Sequence, residues 1–357
     1  MQKTIDLRSD TVTKPTAAML STMLSAEVGD DVYGEDPTVT RLEQELSERV
    51  GMEAGLFVCS GTQSNLLGIM SHCERGDEYI AGQQAHVYRW EGGGAAVLGS
   101  IQPQPLEFEL DGSLNLDLVQ KYIKPDDAHH ARTKLLCIEN TQSGKVLPLS
   151  YLADARKLVD ANKLQLHLDG ARAFNAAVQL KVDISDITKH FDSVSICLSK
   201  GLGAPVGSVL CGSKETIKKA RRWRKVVGGG MRQAGILAAA GLYAIQNNVN
   251  RLAEDHNNAA RLAQGLSEID ELNIDQSLVQ TNMVFVNLGK LNPQKISQAL
   301  GEKGILTFAN QTMRLVTHLD VSSKDIKIVI EAFKEAIGQN KNSSEEELTQ
   351  PLRGALY

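Results

Sequence analysis

The sequence predicts an α/β protein whose larger domain is built around a mainly parallel sheet covered by helices on both faces. Two observations lead to this prediction. Short apolar segments of strand length alternate with helix-length segments as far as residue 212, the order expected when helices connect parallel strands. The chain has 357 residues, 42% of them hydrophobic, which is enough for two domains and a sizeable core.

The first predicted helices have clear start signals. After an irregular, polar N-terminus, Pro15 opens a short helix that ends near Leu24. Asp36 is the predicted N-cap of the next helix, because Pro37 follows at its first position and Gly51 lies just beyond its end. The apolar positions of this second helix recur at helical spacing: Val39, Leu42, Leu46 and Val50.

The other elements of the larger domain alternate between strand and helix. Residues 56–59 (LFVC) are a predicted strand, and the turn that follows leads into a helix. Further strands are predicted over residues 79–80, 95–98, 134–139, 164–169 and 192–198. Further helices are predicted over residues 84–91, 116–122, 151–161, 216–227 and 231–246.

We predict a large domain over residues 1–247 and a small C-terminal α/β domain over residues 248–337. A long helix that starts at residue 248 and ends near residue 266 is expected to connect them. Residues 338–357 are polar and are predicted to form a mobile tail. The small domain contains predicted strands at 282–288, 305–308 and 313–316, and predicted helices at 293–303 and 323–337.

Composition and charge argue against several classes of function. The net charge of −5 does not favour nucleic acid or an anionic membrane as a partner, and no stretch reaches the roughly 18 apolar residues of a membrane span. Five cysteines without a CxxC pair argue against a disulfide framework and favour the cytoplasm. The eight histidines show no HExxH spacing, so no metal is predicted, and the nucleotide-binding pattern GxGxxG is absent.

The most informative stretch is DSVSICLSKGLGAPVG, residues 192–207. Its first half alternates apolar and small polar residues, which predicts a buried strand. The strand ends at Ser199 and Lys200, followed by a glycine-rich turn. Desolvation lowers the pKa of an ammonium group, and the neutral amine is a nucleophile that can bond to an aldehyde. Most lysines at strand ends turn out into water, so this stretch alone leaves both interpretations open.

Other polar residues follow predicted strands at the same edge of the sheet. Gly61 and Thr62 turn from a strand into a helix, where free amides and the helix dipole favour an anion. Asn140 and Asp169 follow two further strands. Ligands of parallel sheets bind at the carboxyl ends of the strands, so these positions predict a site. A plain strand–helix connection and a helix-capping aspartate are the structural alternatives.

A lysine amine, a carboxylate and an anion-binding turn match the three groups by which proteins hold pyridoxal phosphate. Lys200 would bond to the aldehyde, and Asp169 would keep the pyridine nitrogen protonated. The turn at residues 61–62 would bind the phosphate. The side chain that stacks on the pyridine ring would be His86 or Trp90.

The sequence resembles the low-specificity L-threonine aldolases, pyridoxal-phosphate enzymes of fold type I with an aspartate-aminotransferase-like architecture. The resemblance extends from about Ile5 to Ile337. It depends on long motifs: IDLRSDTVTKPT, GDDVYGEDPTV, SGTQSNL, SHCERGDEYI, AHVYRWEGGGAAVLGSIQPQP, HLDGAR, LSKGLGAPVGS, RRWRKVVGGGMRQAGILAAAG and RLVTHLD.

This resemblance implies roles for individual residues around the cofactor and the substrate. The implied cofactor contacts are Lys200 with the aldehyde, Asp169 with the nitrogen, His86 on the ring, Gly61, Thr62 and a neighbouring subunit's Arg232 with the phosphate, and additionally Ser199 and Arg172. The implied substrate contacts are Ser9, Arg172 and Arg314 with the carboxylate, His86 and His129 with the β-hydroxyl, Trp90 beside the hydroxyl pocket, and Lys225, which would serve the site of the partner chain.

The activity implied by the resemblance is retro-aldol cleavage of a β-hydroxy-α-amino acid, which yields glycine and acetaldehyde when the substrate is threonine. The implied assembly is a homotetramer built of dimers with shared active sites. The nearest alternatives are a hydroxymethyltransferase-like enzyme or a β-eliminating lyase of the same fold type. A non-catalytic ligand-binding protein on the same fold is a further alternative. A metal-dependent D-threonine aldolase is disfavoured, because that family resembles a barrel architecture.

Overall fold

The computed structural model describes residues 3–340, which form two compact units. The larger unit is Thr13–Leu252, and the smaller unit combines the residues up to Val12 with those from Ala253 onward. The sequence placed this division at 247/248 and the first twelve residues in the large domain. Those residues group with the smaller unit because Ile5 pairs with Ile305 in a parallel bridge of two strands.

The strands of the structure, in chain order, are β1 Ile5–Asp6, β2 Ala54–Val58, β3 Asp77–Gly82, β4 Gln102–Leu106, β5 Arg132–Glu139, β6 Gln165–Gly170, β7 Ser193–Cys197, β8 Ser208–Gly212, β9 Met283–Asn287, β10 Ile305–Leu306 and β11 Thr312–Val316. The helices are α1 Ala17–Leu24, α2 Pro37–Arg49, α3 Gly61–His72, α4 His86–Arg89, α5 Gly94–Gly99, α6 Leu116–Tyr122, α7 Leu149–Ala161, α8 Ala173–Leu180, α9 Ile184–Thr188, α10 Lys214–Val226, α11 Gly235–Asn247, α12 Leu252–Ser267, α13 Pro293–Glu302 and α14 Ser323–Asn340. Short 3-10 turns occur at Asp10–Val12 and Gln276–Leu278.

The larger unit contains a seven-stranded sheet of order β2-β8-β7-β6-β5-β3-β4. All neighbouring strands are parallel except at β8, which is antiparallel to both β2 and β7. This topology confirms the predicted mainly parallel sheet. It also brings the carboxyl ends of β2, β5, β6 and β7 to one edge, together with the first residue of β8.

The central strands are buried on both faces. Consecutive residues of β5, Leu135 and Leu136, are both fully buried, although successive side chains of a strand point to opposite faces. The same holds for β7, where Val194 and Ile196 are fully buried and the intervening Ser195 is 1% exposed. Helices therefore cover both faces, as the sequence predicted.

The helix signals in the sequence were read correctly at α2. The Asp36 carboxylate accepts hydrogen bonds from the amides of Thr38 and Val39, at 3.1 and 3.0 Å, and Pro37 is the first helical residue. The capping carboxylate satisfies two of the amides that have no partner inside the helix.

The predicted strand over residues 95–98 was wrong. These residues belong to α5, and the strand of this region is β4, which contains Pro103 and Pro105. The strand was not predicted because proline is rare in strands. However, β4 is the last strand of the sheet, and an edge strand tolerates residues that cannot donate a backbone hydrogen bond. The apolar run was misleading because Val97 and Leu98 are 73% and 55% exposed.

The smaller unit contains the antiparallel pair β9 and β11 and the parallel pair β1 and β10, with a core formed by apolar residues of its strands and of α12, α13 and α14. Residues 338–340 of the predicted tail continue α14, and residues 341–357 lie outside the described residues. None of the helices in the described part of the chain has the length and apolar character that crossing a bilayer requires.

Candidate active site

Lys200 lies two residues beyond Leu198 in the turn that follows β7. Its carbonyl oxygen accepts hydrogen bonds from the Thr13 hydroxyl, at 3.1 Å, and from the Gly203 amide, at 2.8 Å, so the turn holds its backbone in place. The side chain is half-buried, and its ammonium is close enough to His86 and Glu139 to act on both electrostatically.

Asp169 is the residue before the last in β6 and is 3% exposed. Its Oδ1 accepts from the Ala171 amide at 3.0 Å, and its Oδ2 accepts from Asn65 Nδ2 at 2.8 Å. The first bond is the local turn contact that is expected if Asp169 only caps the segment that follows the strand. The second bond joins this carboxylate to α3, which the sequence analysis did not foresee.

The start of α3 forms an anion-binding turn at the same edge of the sheet. Gly61 and Thr62 are its first two residues, and the N-cap Ser60 accepts from the Gln63 amide at 3.1 Å. The first amides of a helix have no partner inside it, so those of Gly61 and Thr62 can bind an anion. The buried Ser208 hydroxyl has no hydrogen-bond partner among the described residues, and it lies 3.6 Å from the point where a Cβ on Gly61 would be.

His86 begins α4 and is bound to two acidic residues. Its Nδ1 lies 2.8 Å from Glu91 Oε1, and its backbone amide donates to Glu139 Oε2 at 3.1 Å. Glu139 is the last residue of β5 and pairs in register with Asp169. Glu91 is also bound by Asn65 Nδ2, at 2.8 Å. One asparagine therefore bridges two carboxylates.

Burial and nearby charges shift the pKa values of the residues in this cluster. Burial raises the pKa of Glu91 above its usual value, because the hydrogen bond from His86 that opposes it is the smaller effect and the charge of Asp169 adds to it. Burial, followed by the charge of Asp169, raises the pKa of Glu139 to about 7. Burial lowers the pKa of His86, but the hydrogen bond to Glu91 and the charge of Asp169 outweigh that effect, and the net pKa is raised. Ligand atoms of His86, Glu91 and Asp169 lie within 4.8 Å of one another, where hydrogen bonds join His86 and Asn65 to the carboxylates.

Four further residues of the site were not predicted from the sequence: Asn65, Glu91, Glu139 and Ser208. Glu139 could have been found, because it precedes Asn140 at a strand end where polar residues were already expected. Asn140 itself is buried, and its amide donates to the Asp169 carbonyl at 3.1 Å. The other three gave no signal, because their place in the site comes from contacts between elements that are distant in the sequence.

Several predicted site residues lie apart from this cluster. The side chain of His129 is 87% exposed, and its Nδ1 pairs with Asp127 at 2.6 Å. Arg232 is exposed and its Nη1 donates to Asp30 at 2.8 Å, and Lys225 is exposed in the last turn of α10. Trp90, in contrast, adjoins the cluster as the C-cap residue of α4: its amide donates to the His86 carbonyl at 2.9 Å, and its ring packs under the Arg89 guanidinium at 4.9 Å.

The remaining predicted residues have the following positions. Ser199 is half-buried, and its hydroxyl lies 3.5 Å from Cys197 Sγ. Arg172 is the N-cap residue of α8, three positions after Asp169. Ser9 and Arg314 belong to the smaller unit. There the Ser9 hydroxyl accepts from the Thr11 amide at 3.3 Å, and Arg314 Nη2 donates to the Arg8 carbonyl at 3.2 Å.

The residues at this edge fit pyridoxal phosphate. An amine at a strand end, a buried carboxylate and an anion turn beside the Ser208 hydroxyl, which is unpaired within residues 3–340, offer one partner each for an aldehyde, a ring nitrogen and a phosphate. A mainly parallel sheet that carries these groups at its carboxyl edge is the arrangement expected of the fold-type I pyridoxal-phosphate enzymes that the sequence resembles.

Comparisons with known proteins narrow this class. A family model described as beta-eliminating lyase matches residues 6–313. Low specificity L-threonine aldolase of Escherichia coli strain K12 is 55% identical over 322 residues, which cover 90% of this chain and 96% of that protein. Probable low-specificity L-threonine aldolase 2 of Arabidopsis thaliana is 45% identical over 343 residues, 93% of this chain and 97% of that one. The solved structure of Leishmania major threonine aldolase matches the fold with a TM-score of 0.79 at 22% identity, covering 93% of this chain and 99% of that chain.

The chain therefore belongs to the family of low-specificity L-threonine aldolases, within the beta-eliminating lyases. Enzymes of this family depend on pyridoxal phosphate.

Proposed function

We propose that the protein cleaves L-threonine and L-allo-threonine to glycine and acetaldehyde, with other L-3-hydroxy-amino acids as further substrates. The observation that carries this proposal is the position of Lys200, Asp169 and the 61–62 turn at one edge of the sheet, in a chain 55% identical to a low specificity L-threonine aldolase. Such a site serves several reactions of amino acids, and the relatives' names select the aldol cleavage.

The proposed roles at the cofactor follow from the chemistry of each side chain. Lys200 would hold the aldehyde covalently, and the Asp169 carboxylate would accept a hydrogen bond from the protonated ring nitrogen. The Gly61 and Thr62 amides, with the Ser208 hydroxyl, bind the phosphate, and Arg232 of a neighbouring subunit adds a positive charge. Ser199 and Arg172 are the further proposed contacts. When bound, the cofactor withdraws electrons from the substrate Cα, which allows the bond to Cβ to break.

The proposed base for the β-hydroxyl is His86. Its Nδ1 is engaged by Glu91 at 2.8 Å, so Nε2 is the nitrogen left to take the hydroxyl proton. Glu91 fixes the imidazole and stabilises the charge that it acquires, as the orienting carboxylate does in other acid–base pairs. His129 is proposed to assist at the hydroxyl, with only the family resemblance as support.

The substrate carboxylate is proposed to bind the guanidinium groups of Arg172 and Arg314 and the hydroxyl of Ser9. Guanidinium groups suit this role because two N–H bonds can meet the two carboxylate oxygens. Orientation of the substrate decides which bond at Cα breaks. Trp90 is proposed to limit the β-substituents that fit, and the partner subunit's Lys225 is proposed to belong to the same site.

Product analysis tests this function. Purified protein with added pyridoxal phosphate should release equal amounts of glycine and acetaldehyde from L-threonine and L-allo-threonine. 2-Oxobutyrate and ammonia without acetaldehyde would show a β-eliminating lyase, and no product together with no cofactor uptake would show a non-catalytic protein. Borohydride reduction and peptide mapping should place the cofactor on Lys200, and the exposed Lys189→Ala variant is the control.

We further propose a cytoplasmic homotetramer of dimers that acts in threonine catabolism and glycine biosynthesis. All five cysteines are free thiols, which suits a reducing compartment. Several large apolar side chains of the larger unit are exposed, which suits burial by a second copy: Leu20, Leu24, Tyr33, Val226 and Ile236. Light scattering measures the mass of the assembly in solution, which should be that of four chains. Mixing and refolding Lys200→Ala with Arg232→Ala should restore part of the activity if the sites are shared.

A further inference from the structure

A chain of buried hydrogen bonds leads from Asp169 to the far end of α3. Asn65 Nδ2 donates to Asp169 Oδ2 at 2.8 Å, and Asn65 Oδ1 lies 3.2 Å from His167 Nε2. His167 Nδ1 lies 2.8 Å from Ser193 Oγ, which in turn lies 2.7 Å from His72 Nε2. Asn65, His167 and Ser193 are each at most 1% exposed, so water does not compete at these three residues, whereas His72 at the outer end is half-buried.

In each hydrogen bond of this path, only one of the two groups can be the donor. Asn65 turns its NH2 group to two carboxylates, Asp169 and Glu91, so its oxygen faces His167 and must accept. Burial, followed by the nearby His72, lowers the pKa of His167 to about 3, so the ring is neutral and its single proton is on Nε2. His167 Nδ1 therefore accepts the Ser193 proton.

The outer end of the chain follows by the same reasoning. The Ser193 hydroxyl has one O–H, which donates its hydrogen bond to His167. Its oxygen can therefore only accept the hydrogen bond from His72 Nε2. Burial lowers the pKa of His72 to about 4, which leaves this ring neutral too. Both imidazoles are then in the same Nε2–H form.

The packing is also built around this path. A Cβ on Gly68 of α3 would lie 2.7 Å from Cε1 of the His167 ring, so any larger residue there would displace the ring. Gly68 and Asn65 are three residues apart and share one face of α3, and His167 and Asp169 are two apart and share one face of β6. Helix and strand thus present matching polar groups to each other.

We propose that His72, Ser193 and His167 are positioning residues that lock the Asn65 amide with both N–H bonds on Asp169 and Glu91. This proposal rests on the proposed function, in which Asp169 serves the ring nitrogen of the cofactor and Glu91 orients His86. Without the lock, the Asn65 amide can rotate and turn its oxygen towards two carboxylates. That arrangement is repulsive, and it removes the donors that hold the two acidic groups in place.

The first test needs no cofactor. Nitrogen-15 NMR of the histidine rings in the cofactor-free full-length protein should show His167 and His72 as neutral Nε2–H tautomers at pH 7. A neutral Nδ1–H form or a charged ring at His167 would overturn the proposal, because either would reverse or break the chain.

The second test measures the dissociation constant of pyridoxal phosphate. Ser193→Ala and His72→Leu should each raise it about tenfold, the size of one lost buried hydrogen-bond partner, and should shift the visible absorption of the bound cofactor. His72→Gln can donate from nearly the same place and should return the constant to within about twofold of wild type. Cys137→Ala, on the neighbouring strand in register with His167, is the control for a buried change outside the chain.

These outcomes separate the proposal from a merely structural role. If Ser193→Ala lowers the melting temperature as Cys137→Ala does, but leaves the dissociation constant and the spectrum unchanged, the proposal fails. Asp169→Ala distinguishes this failure from failure of the proposed function. If Asp169→Ala binds the cofactor as tightly as wild type does, the proposed role of Asp169 itself is refuted. If Asp169→Ala binds the cofactor more weakly but Ser193→Ala binds it as wild type does, only the proposed role of the hydrogen-bond chain is refuted.

Discussion

Replacing Glu139 with glutamine should make the cofactor-free protein more stable than wild type at pH 8 and equally stable near pH 4. The substitution keeps an oxygen that can accept the 3.1 Å hydrogen bond from the His86 amide, and it removes the carboxyl group that titrates. Burial and the charge of Asp169 raise the pKa of Glu139 from 4.5 to about 7 in the folded protein. In the unfolded chain we expect the ordinary value.

The sign follows from proton binding in the two states. Between pH 4.5 and about 7, the unfolded chain has lost the Glu139 proton, whereas the folded protein keeps it. The wild type therefore loses stability as the pH rises through this window. The gap between 4.5 and about 7 corresponds to about 3 kcal/mol, at about 1.4 kcal/mol per pH unit. Glutamine does not ionise, so the variant avoids this loss.

Urea unfolding of the cofactor-free protein at pH 4, 5, 6, 7 and 8 measures the effect. The difference in the free energy of unfolding between Glu139→Gln and wild type should grow across this series. Glu107→Gln, an exposed isosteric change beyond the end of β4, should show no such trend. A difference that is constant between pH 5 and pH 8 would refute the reasoning, because it would mean that Glu139 ionises alike in both states.

The other predictions concern the proposed active site directly. Lys200→Ala should abolish turnover and the visible absorbance of bound cofactor, measured by acetaldehyde release and by spectroscopy. Full activity would remove Lys200 from its role. Asp169→Ala should lose cofactor affinity and rate together, by at least about tenfold, and an unchanged visible spectrum would count against it. His129→Ala should slow cleavage of threonine severalfold without releasing cofactor, and wild-type kinetics would make this exposed histidine a bystander.

The sequence predicted the order of the elements better than their edges. Capping signals such as Asp36-Pro37 are local, so they can be read without the fold. The strand β4 could not be read in this way, because its prolines are compatible with a strand only at the edge of a sheet, and edge position is a property of the whole topology. Cys59 failed for a related reason. It was predicted as the last residue of the strand over residues 56–59, but β2 ends one residue earlier and the thiol is exposed.

The candidate site was predictable where one rule applied. Parallel strands end at the same edge, so the sequence alone was enough to place Asp169 and Lys200 together. The groups around them follow no such rule. Asn65 lies in the second turn of a helix and reaches the site only because α3 crosses the sheet at His167, where Gly68 allows close approach.

The charges around Asn65 explain why this environment suits a cationic ring. Burial and repulsion by the Asp169 carboxylate raise the pKa of Glu91 and of Glu139. The nearby cations, Lys200 and His86, offset only part of that repulsion. A protonated pyridine nitrogen bound beside Asp169, as proposed, would add positive charge, so its binding should lower the pKa of Glu91 and of Glu139. By linkage, those carboxylates in turn favour the protonated ring, which is the form that withdraws electrons most strongly.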